Sequence, residues 1–142
     1  MNLYRIIYSS YGKPDLGYHD LRDIMQKSEI NNQRDGITGM LCYGDFVFLQ
    51  ILEGDRTTIS NTFNRISQDP RHHTPELIEC RPIKSRIFGV WSMKTVNLSD
   101  LKSEQVKNLI LKYSTSDTMK PHNMSPKQCL SLMQELAVFY DK

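Results

Sequence analysis

The apolar positions of residues 46–54, Phe-Val-Phe-Leu-Gln-Ile-Leu-Glu-Gly, repeat with a period of two. Phe46, Phe48, Gln50 and Leu52 fall on one face, and Val47, Leu49 and Ile51 on the other. Both faces are apolar, which predicts a central strand covered on both sides. Gln50 interrupts the pattern. A carboxamide turned toward a core has several hydrogen bonds to satisfy, and leaving it unpaired costs about 1–3 kcal/mol. Two roles fit it: capping a nearby backbone group, or meeting a polar ligand in a pocket.

The same periodicities extend along the chain. Residues 3–9 read as a first strand with Tyr4, Ile6 and Tyr8 on one face, followed by a turn-rich loop over 10–15. Residues 18–32 carry helical spacing through Leu21, Ile24, Met25 and Ser28 to Asn32, so this stripe begins apolar and ends polar. Asn31 and Asn32 suit either a helix end or a polar site. Residues 37–43 predict a second strand, joined to the central one through Gly44-Asp45. Asp55 is placed to cap a second helix striped by Ile59, Phe63 and Ile66 and closed by Pro70. Residues 76–83 predict an edge strand because of Pro82. Residues 88–98 predict a fifth strand with Trp91, Met93 and Thr95 on one face. After a shift in composition near Ser99-Asp100, two amphipathic helices follow, over 101–113 and from Ser125-Pro126 to about Tyr140. The order β-α-β-β-α-β-β implies an α+β, ferredoxin-like fold with a five-stranded mixed sheet. Strands one and three are expected as a central parallel pair. Two helices should cover one face and the C-terminal helical hairpin the other.

Charge and chemistry narrow the function. A net charge of +2 gives little case for nucleic acid or an anionic membrane. No apolar run approaches the roughly 20 residues of a membrane span. The N-terminus lacks a signal-peptide pattern, and three scattered cysteines without a CxxC pair suggest a reducing, cytoplasmic setting rather than zinc or disulfides. Phosphate-binding glycine motifs are absent, no Ser or Cys lies in an elbow-like context, and Asp45 stands where an RNA-binding sheet needs an aromatic. An acylphosphatase-like loop after strand one would need an Arg, and residues 10–14 have none. Arg65, Asp69, Arg71, His72 and His73 could be a solvated helix end. Three of them, Arg65, Asp69 and His72, could also join a pocket between the two helices. Its floor would carry Tyr8 and Gln50, its rim Ser28, Asn31, Asn32, Arg65, Asp69 and His72, and its apolar walls Ile24, Leu52 and Ile66. Such a set suits a polar heterocycle with a phosphate tail.

Taken together, Tyr-Arg-Ile-Ile-Tyr-Ser-Ser at 4–10, Asn31-Asn32 followed by the Asp-Gly-Ile-Thr-Gly-Met-Leu run at 35–41, Phe-Leu-Gln-Ile-Leu-Glu-Gly at 48–54, Arg65 with Asp-Pro-Arg-His-His at 69–73, and Val-Trp-Ser-Met at 90–93 resemble the BLUF family of flavin-binding blue-light sensors. The two-helix tail resembles the short PixD-type members from cyanobacteria. The resemblance implies residues 1–97 as the sensor and residues 98–142 as a hairpin for packing, oligomerisation and output. It implies non-covalent FAD, with FMN or riboflavin as substitutes. Tyr8 would donate an electron and a proton, Gln50 would bridge Tyr8 and the flavin, and Asn32, with Asn31 and Ser28 nearby, would bind the ring's polar edge. Arg65, Asp69 and His72 would serve the ribityl-phosphate end, and Trp91 and Met93 would change packing with the signalling state. No substrate is turned over in such a switch, and no effector domain is expected after residue 97. Output would pass through a homo-oligomer, a decameric ring, and a response-regulator-like partner of the PixE type, controlling phototaxis. The competing readings are a flavin-binding redox enzyme on the same scaffold and a ligand-free interaction module.

Overall fold

In the computed structural model, which describes residues 1–98, 103–116 and 118–140, the elements follow the expected order. They are β1 (Leu3–Gly12), α1 (Tyr18–Asp35), β2 (Thr38–Gly44), β3 (Val47–Asp55), α2 (Arg56–Ser67), β4 (His72–Pro82), β5 (Lys94–Asn97), α3 (Glu104–Ser114) and α4 (Pro126–Phe139). The five strands form one sheet in the order β4-β1-β3-β2-β5. The α+β, ferredoxin-like fold is as expected, and β4 is at an edge, where the missing amide hydrogens of Pro75 and Pro82 are tolerated.

One pairing differs from expectation. β1 and β3 are central neighbours, but they run antiparallel, with Tyr8 opposite Gln50. The crossover helix α1 joins β1 to β2 with one place left between them. β3 returns through the β2–β3 hairpin and fills that place, antiparallel to both. The parallel contact in this mixed sheet is instead β2 with β5.

The double apolarity of β3 sorts the core into two layers. Ile7, Met40, Val47, Leu49 and Ile51 pack against Val106, Ile110, Leu132, Met133 and Leu136 from α3 and α4. Ile6, Tyr8, Leu41, Phe48 and Leu52 face Leu21 of α1 and Ile59 of α2. Ser125 caps α4 by accepting from Gln128 N at 3.1 Å, with Pro126 in the first turn. The expected start of α3 at Leu101 and the composition shift at Ser99-Asp100 lie outside the described residues.

Several local expectations need correction. α1 does not end at Asn31-Asn32. It continues to Asp35 and is closed by Gly36 in the left-handed region at φ 68°. β1 extends through Gly12, and β4 begins at His72 rather than Glu76. Phe46 is not in the strand. It shares the hairpin turn with Asp45, at positive φ of 64° for Phe46 and 53° for Asp45, and is exposed. α2 ends at Ser67, before Pro70. Asp55 occupies the N-cap position of α2 but spends its carboxylate on Asn2 N at 3.1 Å. The fifth strand is only Lys94–Asn97, so Trp91 and Met93 precede it in an irregular segment. They do not share a face: Met93 is buried in the layer of α1 and α2, and Trp91 packs against the layer of α3 and α4.

Candidate functional site

A cavity of about 290 Å³ opens between α1 and α2 above the sheet. Tyr8 on β1, Leu41 on β2, and Phe48 and Gln50 on β3 line it from below. These strand residues project to one side of the pleat. Ile24, Lys27, Ser28, Asn31 and Asn32 come from α1, at spacings that place them along one helix face. Thr62, Arg65 and Ile66 come from α2 in the same way, and Asp69, Arg71 and His72 from the connection into β4.

At the floor, the Tyr8 hydroxyl donates to Gln50 Oε1, with both residues almost wholly buried. Gln50 Nε2 donates to Met93 Sδ and to Ser28 Oγ, each at 3.4 Å. Asn32, also buried, donates its Nδ2 to the same Ser28 Oγ at 3.2 Å. Among the described residues the Gln50 amide meets side chains rather than a backbone group. It joins Tyr8, Ser28 and Met93, three side chains from separate parts of the chain. Burial, reinforced by the negative charge of Asp69, pushes the Tyr8 phenol well above its ordinary value of 10.0. The phenol stays protonated through the neutral range. Phe63 tilts over the Tyr8 ring with centroids 5.1 Å apart.

The rim is more committed internally than the sequence implied. Arg71 donates Nη1 to Asp23 at 2.8 Å and Nη2 to Asp69 at 2.7 Å, tying α1 to the loop beyond α2. Its hydrogen bonds hold both carboxyls below the usual carboxylate range. His72 has both ring nitrogens engaged: Nε2 donates to Ile66 O at 2.6 Å, and Nδ1 pairs with Ser10 Oγ at 2.7 Å. Since a carbonyl can only accept, Nε2 carries the proton. Arg65 is half exposed and meets Asp35 only at 3.9 Å, which leaves its guanidinium available at the rim.

Of the residues singled out from sequence, Tyr8, Ile24, Ser28, Asn31, Asn32, Gln50, Arg65, Ile66, Asp69 and His72 all border the cavity. Met93 touches Gln50. Leu52 is fully buried in the same layer facing α1 and α2 but does not line the cavity, and Trp91 packs in the layer on the other side of the sheet. Sequence reasoning missed Lys27, Leu41, Phe48, Thr62 and Arg71 as lining residues. Helical spacing from Ile66 back to Thr62, and strand alternation from Gln50 to Phe48, would have found two of them.

The donor set suits a flat heterocycle. Apolar Ile24, Leu41 and Ile66 flank amides and a hydroxyl at one end, with cations at the other. A family profile described as BLUF, sensors of blue-light using FAD, matches residues 3–94. Among solved structures, BlsA in its photo-activated state is 28% identical with a TM-score of 0.83, the match covering 96% of this chain and 95% of that one. BlrB, a BLUF protein in its dark state, is 29% identical with a TM-score of 0.76, covering 97% of each chain. The photoactivated adenylate cyclase subunit beta of Euglena gracilis is 26% identical over 87% of this chain, but the match spans only 17% of that protein's length.

Proposed function

The chain belongs to the BLUF family, the sensors of blue light using FAD, and from this premise we propose that its output is a rearrangement of the Gln50 amide passed on through Met93. The observation that carries the proposal is the buried chain of contacts Tyr8–Gln50–Met93 beside the cavity. A bound flavin supplies, under blue light, an excited state that is a strong oxidant.

Tyr8 is the electron and proton donor in this scheme. Its phenol becomes far more acidic on oxidation, and its proton leaves along the hydrogen bond to Gln50 Oε1. The amide of Gln50 has a donor and an acceptor end. Once the electron and proton have returned to Tyr8, a rotated amide has exchanged the two ends, so Oε1 faces Ser28 and Met93. The Ser28 hydroxyl can donate to it, but the Met93 thioether cannot. Met93 loses its partner, and the irregular segment that carries it is released as the two-state element. Asn32, Asn31 and Ser28 hold the polar edge of the ring. Arg65 serves the phosphate end, while His72 and Asp69, already committed to internal partners, shape the wall there.

In this reading no substrate is turned over, and the light signal leaves through protein contacts. These comprise a homo-oligomer of this chain, a decameric ring, and a response-regulator-like partner of the PixE type with phototaxis as the output. The α3–α4 layer supports such a route, because Trp91 packs against it two residues from Met93. No helix among the described residues is long and apolar enough to cross a membrane.

Absorption spectra in darkness and after blue light test the reading. We expect a yellow protein whose flavin band shifts slightly and reversibly to the red. The shift should vanish in Tyr8→Phe and Gln50→Ala and survive in Asn32→Ala. A colourless protein, or a normal photocycle in Tyr8→Phe, overturns it. Chromatography in darkness and light, alone and with a response-regulator partner, tests the assembly.

A further inference from the structure

The segment that carries Met93 has little regular hydrogen bonding of its own, yet Met93 Sδ sits on Gln50 Nε2. Backbone amides in such a segment need partners elsewhere. Two of them find one side chain. Glu53, fully buried near the end of β3, accepts from Ile87 N at 3.1 Å and from Phe88 N at 2.7 Å. Its carboxylate is held in turn by Arg5 Nε at 3.0 Å. Arg86 reaches back to Glu53 O and Thr38 Oγ1, at 3.0 and 2.9 Å. Downstream, Trp91 O accepts from Gly39 N at 3.2 Å.

Gln50 and Glu53 lie three residues apart on one strand, so their side chains project to opposite faces. The amide meets the cavity, and the carboxylate meets the start of the segment that returns to that amide through Met93. A buried ion pair is by itself weak grounds for a stabilising role. This one is placed where two backbone amides would otherwise be orphaned, and those amides begin the path to the switch.

We propose that Glu53 is a positioning residue for the light switch: its carboxylate fixes the backbone at Ile87 and Phe88 and so sets Met93 against Gln50. This rests on the reading of Gln50 as the switching amide. Glu53 touches neither the cavity nor Tyr8, so its effect travels through the segment. With the anchor intact, Met93 returns to one place after each light cycle. With it weakened, the dark arrangement is harder to rebuild.

The test is the dark-recovery rate of the flavin-loaded protein after a blue flash. Glu53→Gln keeps one acceptor oxygen but presents an amide donor to a group of donors. Glu53→Asp keeps the charge but withdraws it by one methylene, which serves if the first variant fails to fold. Arg5→Gln is the control, since it removes the cation and leaves the two amide contacts. We expect recovery to slow about tenfold in either Glu53 variant, the order of one hydrogen bond's net contribution. Arg5→Gln should melt lower but recover within about twofold of the parent. Recovery that is unchanged or faster in the Glu53 variants, alongside a lowered melting temperature, makes Glu53 merely structural and overturns the proposal. A parent protein with no red shift overturns the reading of Gln50 instead, so the two failures are distinct.

Discussion

The Tyr8–Gln50 pair can be weighed without light, by a double-mutant cycle on stability. Tyr8 is 2% exposed and Gln50 1%, so each depends on its partner for its hydrogen bond as the chain is folded. Among the described residues no buried side-chain polar atom lacks a partner, so each deletion creates a new orphan. Tyr8→Phe leaves Gln50 Oε1 without a donor, and Gln50→Leu leaves the Tyr8 hydroxyl without an acceptor. Each orphan costs about 1–3 kcal/mol. The two contacts of Gln50 Nε2 are lost equally in Gln50→Leu and in the double variant, so they cancel from the coupling energy. In the double variant Phe faces Leu and both orphans are gone. Its cost should therefore lie no higher than that of either single variant, giving a coupling energy of at least about 1 kcal/mol. Urea denaturation of the flavin-free proteins, with equal slopes across the cycle, reads this directly. If the two single costs add to within about 0.5 kcal/mol of the double, the pair is uncoupled, and the proton path assigned to it loses its basis.

Alkaline pH should destabilise the fold. Tyr8 is raised above 10.0 by burial and Cys42 from 9.0 to about 12, so the folded state binds more protons than the unfolded one above pH 9. Stability is then unaffected by these groups below pH 9 and falls as pH rises beyond it, which thermal melts between pH 7 and 11 will show. At the acid end, Asp23 and Asp69 are depressed by Arg71, so their contribution is present above the ordinary carboxylate value of 3.8 and is lost as pH falls through the lower folded values. Flavin release on acid titration should track that loss in the parent and be blunted in Arg71→Gln. Gly39→Ala should be severely destabilising, because an added Cβ would lie 1.9 Å from Ile51 O in the neighbouring strand. We expect a loss of about 3 kcal/mol or more, measured by urea titration. A loss under about 1 kcal/mol would mean that β2 and β3 can separate locally.

The floor of the cavity was legible because burial makes polar residues conspicuous. Gln50 on a doubly apolar strand, and Ser28 and Asn32 at the polar end of an apolar helical stripe, are departures from a period, and a period is a local property. The wall was less legible. Arg71 gave only a charge cluster, because its partner Asp23 is 48 residues away on another element. Phe46 read as strand because it is aromatic and in phase, although the I′-like turn needs positive φ at that position and overrides the phase. The sense of β1 and β3 follows from two local connections: the crossover helix makes β1 and β2 parallel, and the short β2–β3 hairpin makes β3 antiparallel to β2 and so to β1.

The misread fifth strand carries the most physical content. Residues 88–93 contain Phe, Val and Trp, which favour extended structure, but a strand also needs a neighbour for its amides. Here Glu53 takes two amides at the start of the segment, and its carboxylate is 34 and 35 residues away in sequence, so no local pattern shows it. The consequence bears on the switch. β3 is buried on both faces and paired on both sides, by β1 and β2, so it is poorly suited to move. The segment before β5 hangs from β3 and β2 through Glu53, Arg86 and Gly39 and rests on Gln50 through Met93. On the proposed function, a change at Gln50 therefore has a doubly paired strand beneath it, and its route outward is the irregular segment that also bears Trp91.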